Sequence, residues 1–263
     1  MTEEDAQMNC CTQKSIFLAT CLLLGLVAQT QATPIIQVLS ESLDVSYYVE
    51  TESRSGTTIH SDSATGSLLG SGATVSYTEF YYSPSENENY VIDANGSGSS
   101  SGTNGFNLDA EADDYPFSGS GPFNPLTSVT SVRGEASTSW VFNVLNEDAD
   151  FRTRLLNEVY PGGTPPPAHT DSVAEVRLFD VTSSSMVLDV AGGWGVEHTL
   201  TLLAGHQYQL YAIAGDYGPS DEDVSLWFYF DDRATITSVP EPSTLYLLLL
   251  SMSALLIAKR RNS

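Results

Sequence analysis

The stretch HTLTLLAGHQYQLYAIAG, His198 to Gly215, fits one backbone period. Leu200 and Leu202 alternate with Thr199 and Thr201, and Tyr208, Leu210 and Ala212 alternate with Gln207, Gln209 and Tyr211. Successive side chains of a strand point to opposite faces, so period two gives each strand an apolar and a wetter face. Ala204 to Gln207 break the pattern, and a hairpin is predicted. The other apolar segments are as short and as rich in Thr, Val and Tyr: SLDVSYYVE (42–50), ATVSYTEFYY (73–82), YVID (90–93), STSWVFNVL (137–145), VAEVRLFDV (173–181) and DVSLWFYF (223–230). Separated by Gly, Pro, Ser and Asn, they predict an all-β chain, an antiparallel β-sandwich of jelly-roll-like form. Asp148 to Tyr160, opened by Asp and closed by Pro161, is the one segment with helical cues and predicts a helix of at most three turns.

Two segments read as loops. ANGSGSSSGTNG (94–105) is Gly/Ser-rich, and YPGGTPPPAH (160–169) is stiffened by three consecutive prolines. The resulting organisation is a signal peptide over 1–32, one exported sandwich over 33–238 with loops at 94–105 and 160–169, and a separate C-terminal segment over 239–263. Two domains divided at the loops are the alternative.

The N-terminal part rests on SIFLATCLLLGLVA (15–28), an apolar core preceded by Lys14 and followed by the small-residue exit Thr30, Gln31, Ala32. Cleavage is expected after Ala32. Glu3, Glu4 and Asp5 do not suit the basic region of such a peptide, so Met8 is the expected start. Cys10, Cys11 and Cys21 are the only cysteines and all precede that cleavage, which leaves the mature chain without disulfide or thiolate chemistry.

At the other end, VPEPSTLYLLLLSMSALLIAKRR (239–261) sets a Pro-Glu-Pro block, an apolar run and a basic cluster in succession. The run Leu245 to Ala258, 14 residues, would span roughly 21 Å as a helix, short of the roughly 30 Å hydrocarbon core. Lys259, Arg260 and Arg261 are a stop signal that stays cytoplasmic and leaves the preceding chain on the other side of the membrane. With Pro240, Glu241 and Pro242 as its tripeptide, this stretch resembles the PEP-CTERM sorting signal of Gram-negative, exopolysaccharide-producing bacteria. The resemblance implies an inner-membrane precursor held by a short transmembrane helix, an exosortase that cuts near the motif, and release to the cell surface or extracellular matrix. An ordinary anchor that is never cut is the alternative.

Charge narrows the partners. The net charge is −23, and between residues 33 and 238 the only cations besides histidine are Arg54, Arg133, Arg152, Arg154, Arg177 and Arg233. Phosphate backbones require clustered Lys and Arg, so nucleic acid is excluded as a partner. His60, His169, His198 and His206 show no His-Glu-x-x-His spacing, and no Gly-x-Ser-x-Gly elbow occurs. His198 and His206 flank the expected hairpin and read as exposed strand histidines. No catalytic residue and no metal site is assigned. NLDAEADD (107–114), NEDAD (146–150) and SDED (220–223) nevertheless offer oxygen ligands of the kind calcium takes. Asp109, Glu111 and Asp113 alternate as EF-hand ligands do, but Asp114 stands where that loop needs glycine and Ser120 where it needs glutamate.

Adjacent aromatics (Tyr47 and Tyr48; Phe80, Tyr81 and Tyr82; Trp227, Phe228, Tyr229 and Phe230) must alternate across their strands, so some rings face away from the core. The expectation is a non-enzymatic exported surface or matrix protein associated with exopolysaccharide. The alternative is a carbohydrate-binding module with Trp194 and Trp227 as exposed platforms, with calcium assistance. A glycan hydrolase or lyase is the third reading, motivated only by abundant carboxylates.

Overall fold

The computed structural model describes residues 33–85, 87–116, 124–126, 128–159, 172–192, 195–218 and 222–239. Among them all regular structure is strand. The chain divides after Thr33, and every described strand belongs to the unit that begins at Pro34. The proposed signal peptide, the 160–169 loop, Trp194, the Pro240–Pro242 motif and the Lys259–Arg261 cluster lie outside the described residues.

Among the described residues fourteen strands form two seven-stranded sheets. Sheet A runs β10 (Ser185–Ala191), β9 (Val173–Asp180), β12 (Gln207–Tyr217), β7 (Ser128–Leu145), β1 (Ile35–Ser53) and β14 (Thr235–Ser238), with β2 (Gly56–Gly66) on the remaining length of β1. Sheet B runs β11 (Glu197–Leu202), β8 (Ala149–Val159), β13 (Glu222–Phe230), β5 (Gly105–Pro116), β4 (Glu88–Ser101), β3 (Ala73–Ser83) and β6 (Asn124–Pro125). Pairing is antiparallel except at β1–β14 and β3–β6. The expected antiparallel β-sandwich is therefore present. Within it β5–β13, β7–β12, β8–β11 and β9–β10 are nested pairs that alternate between the sheets.

The core lies between the sheets and follows from alternation. On β13 Val224, Leu226, Phe228 and Phe230 are buried while Trp227 is exposed, and β5 and β12 bury every second side chain in the same way. Phe106, Trp140, Phe142, Phe151, Tyr208, Phe228 and Phe230 form a connected aromatic cluster, with Trp140 edge-on to Phe106 at 4.7 Å between centroids. The Trp140 indole N–H donates to Thr138, whose hydroxyl donates to the Ser42 carbonyl, so these two buried side chains are satisfied.

Three expectations are corrected. The expected helix from Asp148 is absent among the described residues: Ala149–Val159 is strand β8, because Phe151, Thr153 and Leu155 alternate into the core and that burial overrides local cues. The Gly/Ser-rich 94–105 segment is not a loop. It is largely strand β4, in which Ala94, Gly96 and Gly98 face inward, and the small residues are needed because a Cβ on Gly96 would lie 2.2 Å from the Glu135 carbonyl oxygen of the opposite sheet. Finally, Leu200, Leu202, Tyr208, Leu210 and Ala212 do face the core, but β11 and β12 are not a hairpin. β11 pairs with β8 in sheet B and β12 with β7 and β9 in sheet A, so the turn at Ala204 and Gly205 carries the chain across the sandwich.

Candidate functional site

The outer face of sheet B presents the most exposed tryptophan that the structure describes. Trp227 is 44% exposed, whereas Trp140 is fully buried. Its position follows from parity, since Leu226 and Phe228 are drawn into the core and the residue between them must face out. Across the ladder Trp227 pairs with Arg154 of β8 on one side and Asn107 of β5 on the other, and Asn107 pairs with Ser99 of β4. The next row sets Ser225 against Asp109 and Asp109 against Ser97.

These polar groups are ordered before any ligand arrives. Ser225 Oγ donates to Asp109 Oδ1 at 2.6 Å, Asn107 Nδ2 donates to Asp109 Oδ2 at 2.6 Å, and Ser97 Oγ donates to the same oxygen at 3.4 Å. Asn107 Oδ1 is covered and accepts no hydrogen bond among the described residues. Beside this network Arg152 lies 5.5 Å from the centre of the Tyr229 ring and 3.8 Å from Glu197, while Arg154 makes no ion pair among the described residues. A flat aromatic face bordered by hydroxyl, amide, carboxylate and guanidinium groups can stack on the C–H face of a sugar ring and bond its hydroxyls.

Further along the same face the register brings two acidic segments together. Glu111 and Asp113 of β5 and Asp223 of β13 place ligand oxygens within 4.8 Å of one another, and Asp113 pairs with Asp93 of β4. Burial pushes the Glu111 carboxyl above its ordinary range and Asp223 and Asp93 add to this, against the hydrogen bond donated by Asn95 and hydrogen bonding with Asp113. The EF-hand-like alternation of Asp109, Glu111 and Asp113 is thus a strand, not a loop, and it sets Asp109 in the Trp227 network and the other two in the carboxylate cluster. Asp150 lies in β8 and does not join them.

The two histidines that flank the 199–205 stretch are separated. His206 Nδ1 contacts Asp180 Oδ2 at 2.7 Å in sheet A, while His198 lies in β11 of sheet B. Sequence reasoning finds Trp227 and Asp109 but not Arg154, Asn107 or Ser225. Each carries only the outward parity of its strand, and nothing in the chain announces which strands pair.

No family model matches the sequence, and no curated protein does. Among solved structures, a mutant of the major pilin from Streptococcus pyogenes aligns over 79% of this chain and 99% of its own, at 7% identity and a TM-score of 0.17.

Proposed function

We propose that this chain is an exported surface or matrix protein, cut at its C-terminus by an exosortase, that holds exopolysaccharide on the outer face of sheet B and does not act as an enzyme. The exposure of Trp227 between Arg154 and Asn107, beside the hydrogen-bonded Asn107, Asp109 and Ser225, carries the reading of the sandwich. The nested pairing of β5 and β7–β13 supports a jelly roll, an architecture common among lectins. The exported state rests on the terminal segments: the signal peptide to Ala32, the Pro240–Glu241–Pro242 motif and the Lys259–Arg261 stop signal. The precursor would sit in the inner membrane with its acidic domain in the periplasm.

Two experiments test the two halves. Replacing Pro240, Glu241 and Pro242 by alanine should leave the precursor uncut and in the membrane fraction, and unchanged size and distribution would refute the sorting role. Exopolysaccharide from a producing strain should pull down the wild-type protein and not Trp227→Ala, and equal recovery of both would refute the binding face.

A second reading, calcium-assisted binding, is favoured by the convergence of Glu111, Asp113 and Asp223 on the face that carries Trp227. The ion would be coordinated by these carboxylates.

A further inference from the structure

At the edge where β2 of sheet A faces β3 of sheet B, the β1–β2 and β3–β4 turns border a cleft of about 990 Å³, lined among others by Ser53, Arg54, Ser55, His60, Glu79 and Ser85. It lies at the Pro84 end of β3, whereas the row through Trp227, Asn107 and Ser99 meets sheet B beyond Ala73, at the other end of that strand. The two sites are therefore separate.

The lining is mixed, with Pro84 and Leu126 among its apolar members, and its polar groups are held in place. The Ser53 and Ser55 hydroxyls lie 2.7 Å apart, and Ser53 Oγ also donates to the Gly56 carbonyl, which fixes the turn around Arg54. The His60 ring stacks on Tyr77 at 4.7 Å between centroids, and Tyr77 stacks in turn on Tyr47 at 5.7 Å. Tyr77 Oη donates to Glu79 Oε2 at 2.5 Å, so the one carboxylate of the set is oriented from behind.

Among the described residues Arg54 supplies the one guanidinium of the cleft, set against the Glu79 carboxylate. Arg152, Arg177 and Arg233 are paired with Glu197, with Glu175 and Asp189, and with Asp231, and Arg133 lies over the Tyr48 ring. Arg54 has no acidic partner among the described residues, in a chain of net charge −23 where acids are abundant. An exposed guanidinium on the wall of this cleft is available to a carboxylate or similar anion. The serine hydroxyls and Glu79 supply donors and an acceptor for a polyhydroxylated body, and the volume lies in the range of small-ligand pockets, about 300–1,000 Å³.

We infer that this cleft binds an acidic sugar of one or two rings, a uronate, with its carboxylate on Arg54 and His60 and its hydroxyls on Ser53, Ser55 and Glu79. The site is independent of the Trp227 face and does not rest on the polysaccharide reading.

The test is calorimetric titration of the purified chain with D-glucuronate, D-glucose and acetate, with amide chemical shifts read in parallel. Glucuronate should bind more tightly than either other probe, and its shifts should cluster at residues 53–60 and 85. Arg54→Gln, an exposed turn residue whose fold is checked by its melting temperature, should weaken glucuronate at least tenfold. Trp227→Ala should leave glucuronate unchanged while abolishing polysaccharide pull-down, which separates failure of this site from failure of the other. Absence of glucuronate binding, equal binding by Arg54→Gln, or acetate binding as well as glucuronate would each overturn the inference.

Discussion

Gly134 of β7 lies so close to Asn95 of β4 that a Cβ on Gly134 would come within 2.0 Å of the Asn95 carbonyl oxygen and 2.4 Å of that of Glu111. A Cβ on Gly96 would meet the opposite sheet in the same way, 2.2 Å from the Glu135 carbonyl oxygen. At this waist the two backbones touch, and the apolar interior is divided into a large cluster around Trp140 and a smaller one around Ile92, Ala94 and Val132. Asp216 ties the layers together by accepting the Ala112 N–H from across the sandwich at 3.2 Å.

Gly134→Ala and Gly96→Ala should therefore each destabilise the protein by about 3 kcal/mol, since backbone must move to admit a methyl group. Gly98→Ala should cost about 1 kcal/mol, because a Cβ there meets mainly the Leu43 and Leu108 side chains, which can shift. Urea unfolding of the three variants measures the difference, and equal losses at Gly98 and Gly134 would contradict the waist.

Trp227 and Trp140 should separate binding from folding. Trp227 is 44% exposed and paired on both sides, so Trp227→Ala should cost about 1 kcal/mol in stability while abolishing polysaccharide binding. Trp140→Ala empties a fully buried position within the aromatic cluster and should cost about 3–5 kcal/mol. Thermal melts with pull-down of each folded variant measure both, and a Trp227→Ala chain that unfolds early would show the indole to be structural.

The strands most legible in the sequence are those whose inner face is apolar. Leu200, Leu202, Tyr208, Leu210 and Ala212 announce their inward side by alternation alone, and all pack in the core. Their partners are not legible, since alternation fixes a face but not a neighbour, and a short turn serves a sheet-to-sheet crossing as well as a hairpin. Gly96 and Gly98 look like loop residues in the sequence because their role depends on chain that passes over them from β1 and β7, remote in sequence. The binding face is obscured similarly. Trp227 is an exposed aromatic recognisable by parity, whereas Arg154 and Asn107 acquire meaning only through the pairing of β13 with β8 and β5.

The Asp180–His206 contact predicts a pH dependence. Burial opposes ionisation of Asp180, but hydrogen bonds from His206 and Ser183 outweigh it and hold the carboxyl below its ordinary 3.8. A folded-state value below the unfolded one contributes stability that is fully present above about pH 4 and is lost as pH falls through the folded value. Asp180→Asn should thus cost about 1.5–3 kcal/mol at pH 7, the range for a hydrogen bond to a charged group, with the gap to wild type narrowing below pH 4. Denaturant midpoints from pH 3 to pH 7 give the comparison, and a gap constant across that range would remove the ionised contact as its cause.

Glu111, Asp113 and Asp223 predict a response to calcium. Their oxygens lie within 4.8 Å of one another, with Asp93 paired beside Asp113, so carboxylates from three strands converge on one part of sheet B. Burial and the neighbouring acids already disfavour the charged form of Glu111, which means the site resists its own negative charge in the absence of a cation. Calcium takes oxygen ligands at about 2.3–2.6 Å and tolerates irregular geometry, so strand carboxylates completed by water would suit it better than magnesium. Bound at a hundred times its dissociation constant it would add about 2.7 kcal/mol, a rise in melting temperature of roughly 5–10 °C for a chain of this size. Millimolar calcium should therefore raise the melting temperature of the wild type, EDTA should reverse the rise, and Glu111→Gln with Asp223→Asn should remove it. The doubly neutralised variant should also melt above the wild type in EDTA, because the repulsion is gone. A wild-type melting temperature indifferent to calcium, with the variant still above it in EDTA, would leave the cluster as uncompensated repulsion and end the calcium reading.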